Sequence, residues 1–141
     1  MLHPVLVDTN VILDISTNDK RWYAWSAAAL EQADDESTLV INPIIYAEVS
    51  IAYKKIEDVE LALPPGTFRR DALPYEAAFL AGKAFLRYKQ RGGRSKARPL
   101  PDLYVGAHAA VAGFRLLTRD ATRYRTYFPG VHVIAPAGRS G

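Results

Sequence analysis

Short apolar runs alternate along the chain with longer segments whose apolar residues recur at helical spacing. The short runs predict strands over residues 5–7, 38–41, 115–118 and 131–134. The longer segments predict helices over residues 10–15, 22–32, 43–53, 56–63, 74–90 and 102–113. Because strands and helices alternate, the sequence predicts an α/β fold, in which a mainly parallel sheet is flanked by helices on both faces.

Length and composition fit one ordinary globular domain. Of the 141 residues, 49% are hydrophobic and 23% are charged, which is too apolar for a disordered chain. We expect one domain over residues 1–135 and a short flexible tail over residues 136–141. No segment approaches the roughly 18 apolar residues of a membrane span, and no signal-peptide pattern is present, so we expect a cytoplasmic location. The absence of cysteine excludes disulfides, thiolate zinc sites and cysteine nucleophiles.

The charge is clustered in one segment. The net charge of +3 permits nucleic-acid binding without establishing it. Residues 87–98 contain six basic side chains and no acid: Arg87, Lys89, Arg91, Arg94, Lys96 and Arg98. This run is either a solvated loop or a surface that attracts a polyanion.

Four acids lie where an α/β sheet places its ligands. Asp8 and Asp120 follow predicted strands, and ligands of such sheets bind outside the carboxyl ends of the strands. Asp102 lies in the first turn of the helix that follows Pro101. Glu48 shares one side of its helix with apolar residues, where an unpaired carboxylate is costly, so we expect it to have a cationic or hydrogen-bonding partner.

Each acid also has a structural interpretation. Asp8 and Asp120 are typical helix caps, the helix dipole favours Asp102, and Glu48 could form a buried ion pair or reach water from the edge of its stripe. Together, however, converging carboxylates repel one another unless a cation neutralises them. Mg²⁺ or Mn²⁺ suits such an oxygen site, which can activate water and stabilise charge on a phosphoryl group.

Several motifs resemble those of VapC-type PIN-domain toxins. These are DTNVILD (8–14), PDLYVGAHA (101–109) and LLTRD (116–120), followed by RYRTYFPGVHVIAP (123–136), which is similar to the usual family ending. Glu48, within NPIIYAEVS (42–50), stands where the second acid of the family is expected. The resemblance implies a PIN fold and the toxin component of a type II toxin–antitoxin system. It also implies Mg²⁺- or Mn²⁺-dependent endoribonuclease activity.

The resemblance extends to single residues and to partners. It implies a catalytic and metal-binding cluster of four acids: Asp8, Glu48, Asp102 and Asp120. Asp8 and Asp102 would be direct metal ligands, and the other two would hold waters, a second metal or the attacking water. Asn10 and Thr118 match polar positions that orient the acids, whereas Asp14 is better interpreted as a surface helix residue.

The expected partners are a VapB-like antitoxin, an RNA substrate and a second copy of the chain in a homodimer. A cationic rim beside an acidic centre suits a polyanionic substrate. We therefore expect four basic residues to contact RNA phosphates: Arg91, Arg94, Lys96 and Arg98.

Other classes of protein fit the sequence less well. An aspartyl phosphatase usually has a second Asp two residues after the first, where this chain has Asn10. A phospho-acceptor signalling domain would need a Lys at a late strand end, where only Thr118, Arg119 and Asp120 are found. Two alternatives within the PIN fold stay open, namely a structure-specific DNA nuclease and a non-catalytic nucleic-acid-binding module.

Overall fold

The computed structural model describes residues 2–93 and 100–137. The strands are β1 (Val5–Val7), β2 (Leu39–Ile41), β3 (Phe68–Arg70), β4 (Arg115–Leu117) and β5 (Val133–Ile134). The helices are α1 (Thr9–Ser16), α2 (Tyr23–Glu36), α3 (Pro43–Ser50), α4 (Ile56–Ala62), α5 (Tyr75–Gln90), α6 (Pro101–Ala112) and α7 (Thr122–Tyr127). Within the described ranges, no helix is both long and apolar enough to cross a membrane.

The strands form one parallel sheet in the order β3-β2-β1-β4-β5. Every residue of β1, β2 and β4 is buried. Because successive side chains of a strand point to opposite faces, the sheet is covered by helices on both faces. The predicted α/β fold with a parallel sheet is confirmed.

The register of the central strand determines which residues meet at the carboxyl edge of the sheet. Val7 of β1 pairs with Leu117 of β4, and the Asp8 amide donates to the Leu117 carbonyl at 2.9 Å. Asp8 and Thr118 therefore leave the sheet side by side. Asn42 leaves β2 at the same edge because β2 runs parallel to β1.

Local sequence signals explain where the helices begin. The Asp8 side chain accepts a hydrogen bond from the Thr9 amide at 2.8 Å, at the start of α1. The Asn42 side chain accepts from the Ile45 amide at 3.0 Å, and Pro43 occupies the first turn of α3, as predicted. This helix ends at Ser50, three residues earlier than expected.

Two elements were not predicted. The edge strand β3 pairs with β2, and the short helix α7 follows β4. Helix α7 packs against α6 at Gly106, where a Cβ atom would lie 2.3 Å from Cδ2 of Phe128 and 3.1 Å from Cδ1 of Tyr124. The missing side chain of Gly106 therefore allows the two aromatic rings to approach α6 closely.

Candidate functional site

Asp8 is the most enclosed of the predicted site acids, with only 5% of its surface exposed. One carboxylate oxygen caps α1, and the other accepts hydrogen bonds from the hydroxyls of Thr118 at 2.9 Å and Tyr124 at 2.8 Å. Burial, reinforced by the charge of Asp102, raises the pKa of Asp8 from 3.8 to about 6, even though the three hydrogen bonds oppose the shift. The ionised form of Asp8 is therefore unfavourable in this environment, and a bound cation would stabilise it.

Asp102 approaches Asp8 from α6. Its Oδ1 lies 3.5 Å from the Tyr124 hydroxyl that contacts Asp8, and its Oδ2 lies 3.3 Å from Nη1 of Arg123. Burial raises the pKa of Asp102; the Arg123 charge opposes this increase, and the charge of Asp120 adds to it. Two carboxylates from separate elements therefore meet at one hydroxyl group.

Glu48 lies at the same acidic centre. Its Oε1 accepts a hydrogen bond from the Thr9 hydroxyl at 2.8 Å, so the expected hydrogen-bonding partner is present. Burial raises the pKa of Glu48; the hydrogen bond from Thr9 opposes the increase, and the charge of Asp102 adds to it. The electrostatic effect of Asp102 means that Glu48 belongs to one charge cluster with it.

Asp120 lies on the rim of this cluster, because its side chain is exposed. Its Oδ1 accepts from the Thr122 amide at 3.3 Å, but the N-cap of α7 is Ala121 and no side chain caps this helix, so the interpretation of Asp120 as a helix cap is wrong. Its negative charge nevertheless contributes to the raised pKa of Asp102. Asp120 and Asp102 also line one cavity.

Thr118 bonds to Asp8 and Asp120, and Asn10 bonds to Thr118. The Thr118 hydroxyl donates to Asp8 and accepts from Nδ2 of Asn10 at 3.1 Å and from the Asp120 amide at 3.2 Å. Asn10 Oδ1 accepts from the Arg119 amide at 3.3 Å. These bonds hold the turn after β4 against the start of α1.

The interpretation of Asp14 as a surface residue is wrong, because its side chain is only 2% exposed. Its Oδ2 accepts from the Ser26 hydroxyl at 2.7 Å and from Nε of Arg119 at 2.8 Å. A carboxylate is costly to bury unless it is paired and hydrogen-bonded, and both conditions hold here. Asp14 thus fixes Arg119 next to the turn that carries Asp120.

Neither Arg123 nor Tyr124 was predicted as a site residue, although both begin the motif over residues 123–136 that is similar to the usual family ending. Tyr124 is 1% exposed and joins Asp8 to Asp102, and Arg123 pairs with Asp102. Both residues lie on α7, which was not predicted. A local indication of the helix is that Tyr124, Tyr127 and Phe128 recur at helical spacing in an otherwise polar segment.

Of the predicted basic rim, Arg91 lies in the described part of the chain. It follows α5, with its guanidinium 5.9 Å from the ring centroid of Tyr127. Arg94, Lys96 and Arg98 lie outside the described residues.

The donor set of the acidic centre suits a hard divalent cation. All the donors are oxygens, and burial and mutual repulsion raise the pKa values of three carboxyl groups. Within residues 2–93 and 100–137, no three acidic or histidine side chains are arranged to ligate one ion together. Oxygen donors are those that Mg²⁺ prefers, and this ion is often held by one or two carboxylates together with several waters. Asp8 and Asp102, which both contact the Tyr124 hydroxyl, could hold such an ion.

Comparison with known proteins agrees with the geometry. The family model described as PIN domain matches residues 5–129. The chain belongs to the PIN domain family, as the sequence motifs implied. No curated sequence is similar enough to the chain to count as a relative.

Solved structures with a similar fold include toxin–antitoxin complexes. VapBC2 from Rickettsia felis, bound to a DNA fragment from its promoter, matches with a TM-score of 0.71 and 18% identity over 94% of this chain and 98% of that chain. A toxin–antitoxin complex from Klebsiella pneumoniae has a TM-score of 0.67 and 23% identity, over 92% and 95% of the two chains. FitAcB from Neisseria gonorrhoeae has a TM-score of 0.64 and 19% identity, over 92% and 95%. At these identities the likeness concerns the fold.

Proposed function

We propose that the protein is the VapC-type toxin of a type II toxin–antitoxin system and a metal-dependent endoribonuclease. The observation that carries the proposal is the meeting of Asp8 and Asp102 at the Tyr124 hydroxyl, with the charge of Asp102 acting on Glu48 and the charge of Asp120 acting on Asp102. Membership of the PIN domain family and the four motifs in order support it further.

In this proposal the four acids have different roles in the reaction. Asp8 and Asp102 would hold Mg²⁺ or Mn²⁺, which when bound would supply an activated water and stabilise charge on the phosphoryl oxygens. The hydroxyls of Thr118 and Tyr124 fix the orientation of Asp8. Glu48, whose Oε1 accepts from the Thr9 hydroxyl, would hold waters, a second metal or the attacking water. Asp120, on the exposed rim, positions waters at the side where the substrate enters.

We also propose a VapB-like antitoxin as the natural partner and a homodimer as the assembled state. The similar folds of the solved VapBC2 and Klebsiella pneumoniae toxin–antitoxin complexes support the antitoxin. The homodimer rests on the motif resemblance alone. An RNA-cleaving toxin of this kind would act in the cytoplasm, where its substrate is found.

Cleavage of a total-RNA pool by the purified chain tests the activity directly. With Mn²⁺ or Mg²⁺ we expect discrete cuts, which EDTA and the Asp8→Asn substitution both abolish. A DNA flap substrate in the same assay addresses the alternative of a structure-specific DNA nuclease. Folded, antitoxin-free protein that cuts no RNA would overturn the nuclease and favour a non-catalytic binding module.

The basic rim gives a separate prediction. Replacing Arg91, Arg94, Lys96 and Arg98 with glutamine should weaken RNA binding. The variant neutralises fewer phosphates, so fewer counterions are released from the RNA when the protein binds. The slope of log K against log salt should fall by about 0.7 per lost contact on single-stranded RNA. The control is Lys54→Gln with Lys55→Gln, which removes two positive charges from the connection between α3 and α4, outside the basic segment. An unchanged slope in the rim variant would remove these residues from the interface.

A further inference from the structure

A buried hydrogen bond joins two helices that carry acids of the candidate site. Nδ2 of Asn42 lies 2.9 Å from Nδ1 of His108, and the two residues are 2% and 1% exposed. Asn42 caps α3, which carries Glu48. His108 lies on α6, which carries Asp102. The bond therefore connects the supports of two acids without including either acid.

The helix cap determines which atom of this bond donates. Oδ1 of Asn42 accepts from the Ile45 amide at 3.0 Å, so its Nδ2 faces His108. Because an amide nitrogen can only donate, Nδ1 of His108 accepts and the ring proton lies on Nε2. Burial lowers the pKa of His108, although the charge of Asp71 opposes the shift, so the ring is neutral at pH 7. One amide group thus caps α3 and binds it to α6.

The two acids lie at matching distances from this bond. Glu48 follows Asn42 by six residues, and on α6 Asp102 precedes His108 by six residues. Because the charge of Asp102 also acts on Glu48, the two helices run antiparallel. At about 1.5 Å per residue, about 9 Å of each helix separates the bond from the acid. A displacement of α3 along α6 would therefore change the separation of the two carboxylates.

A hydrogen bond opposes such a displacement more sharply than apolar packing does. Apolar contacts are non-directional, whereas a hydrogen bond needs its donor and acceptor about 3 Å apart and well aligned. Breaking the bond between Asn42 and His108 would leave a polar group in the core without a partner, which is costly. The bond therefore favours one register of α3 on α6.

We propose that Asn42 and His108 are positioning residues, which set the separation of Glu48 and Asp102 in the acidic centre. The proposal rests on the proposed ribonuclease function and deepens it. Both side chains are buried, so they act on the cleavage step and not on the binding of RNA.

Cleavage of the total-RNA pool under single-turnover conditions tests this role. One discrete cut is followed over a range of protein concentrations, which gives a maximum rate and a half-saturating concentration. His108→Leu and His108→Gln should lower the maximum rate on the order of tenfold, because a small misplacement of catalytic groups slows a reaction strongly. His108→Asn should retain most of the rate, since its amide oxygen can replace Nδ1 as the acceptor. The half-saturating concentration should stay the same in all three variants.

A Glu48→Gln background separates positioning from general damage to the fold. If His108 acts through the placement of Glu48, adding His108→Leu to Glu48→Gln should lower the residual rate by less than about twofold. Val59→Ala is the control for lost core packing, because Val59 is 3% exposed and lies on α4. It should keep the wild-type rate below its melting temperature. Thermal melting verifies that each variant is folded.

Nitrogen NMR of the imidazole rings observes the bond without any cleavage. The chain has three histidines, and His108 of the wild type should carry its proton on Nε2. Asn42→Asp keeps an oxygen for the helix cap but has no amide group to donate. Nδ1 of His108 should therefore become protonated in this variant.

Three results would overturn the positioning role alone when the wild type makes metal-dependent cuts. These are a full rate in His108→Leu and His108→Gln, equal losses from His108→Leu with and without Glu48→Gln, and a wild-type proton on Nδ1 of His108. Absence of cuts by the folded wild type would instead overturn the proposed function, and the positioning role with it.

Discussion

Replacing Asp8 with asparagine is expected to stabilise the metal-free protein at pH 7 while abolishing metal-dependent RNA cleavage. Burial and the neighbouring Asp102 raise the pKa of Asp8 from 3.8 to about 6. A difference of about two pKa units corresponds to about 3 kcal/mol of cost for the ionised carboxylate in the folded state. Asparagine avoids that cost but disturbs one or two hydrogen bonds, so we expect a net gain of about 1–2 kcal/mol.

The effect of Asp8 on the stability of the protein should depend on pH. Since the folded-state pKa is above the unfolded-state pKa, the folded chain binds more protons between the two values. The contribution of Asp8 to stability is therefore fully present below about pH 4 and is lost as the pH rises through about 6. The advantage of Asp8→Asn should appear across this same window.

Urea unfolding in EDTA at several pH values measures the effect. Asp35→Asn, at an exposed position of α2, is the control for a change of one carboxylate and should leave the profile unaltered. If Asp8→Asn were less stable than the wild type at pH 7 without metal, the inference that the folded protein disfavours the ionised Asp8 carboxylate would be wrong. Excess Mg²⁺ should stabilise the wild type but not the variant, because a ligand that binds the folded state raises its stability.

The second large effect is expected from Gly106→Ala. A Cβ atom at this position would lie 2.3 Å from Phe128 and 3.1 Å from Tyr124, and both rings are buried. Because neither ring can move into solvent without opening the core, we expect a loss of about 1–3 kcal/mol of stability. The same displacement would move the Tyr124 hydroxyl away from Asp8, so RNA cleavage should decrease as well.

Gly82→Ala is the matched control for Gly106→Ala. Gly82 lies within α5 and has no atom within 4 Å of a built Cβ, so alanine there should stabilise the helix by up to about 1 kcal/mol. Thermal or urea unfolding of both variants, together with RNA cleavage, checks the prediction. Two alanine variants of equal stability would show that the rings accommodate the methyl group.

The sequence predicted best the elements whose signals are local. Strands β1 and β2 are short runs of branched apolar residues, and α3 begins at a capping asparagine followed by proline. Strand β3 has no such signal, because two of its three residues are exposed arginines and it exists by pairing with β2. Helix α7 is six residues long and has no side-chain cap, so its packing against α6 determines it.

The same distinction applies to the candidate site. Asp8 and Asp120 could be predicted as site residues because they follow the apolar runs of predicted strands. Asp102 could be predicted because it follows the proline that begins a helix. The burial of Asp14 was not visible, because it depends on Arg119, 105 residues further along the chain. Nor could local pattern identify Tyr124, whose role depends on contacts with two acids from other elements.

The strand order also has a consequence for the synthesis of the protein. The first strand made lies at the centre of the sheet, and its neighbour β4 leaves the ribosome only after most of the chain. Asp8 is separated from Thr118 by 110 residues and from Tyr124 by 116 residues. At the usual rate of roughly 5–20 residues per second, the residues that carry these two hydroxyls are made roughly 5–25 seconds after Asp8. A nascent chain therefore carries its first acid from the outset but cannot complete the acidic centre until residue 124 has been made.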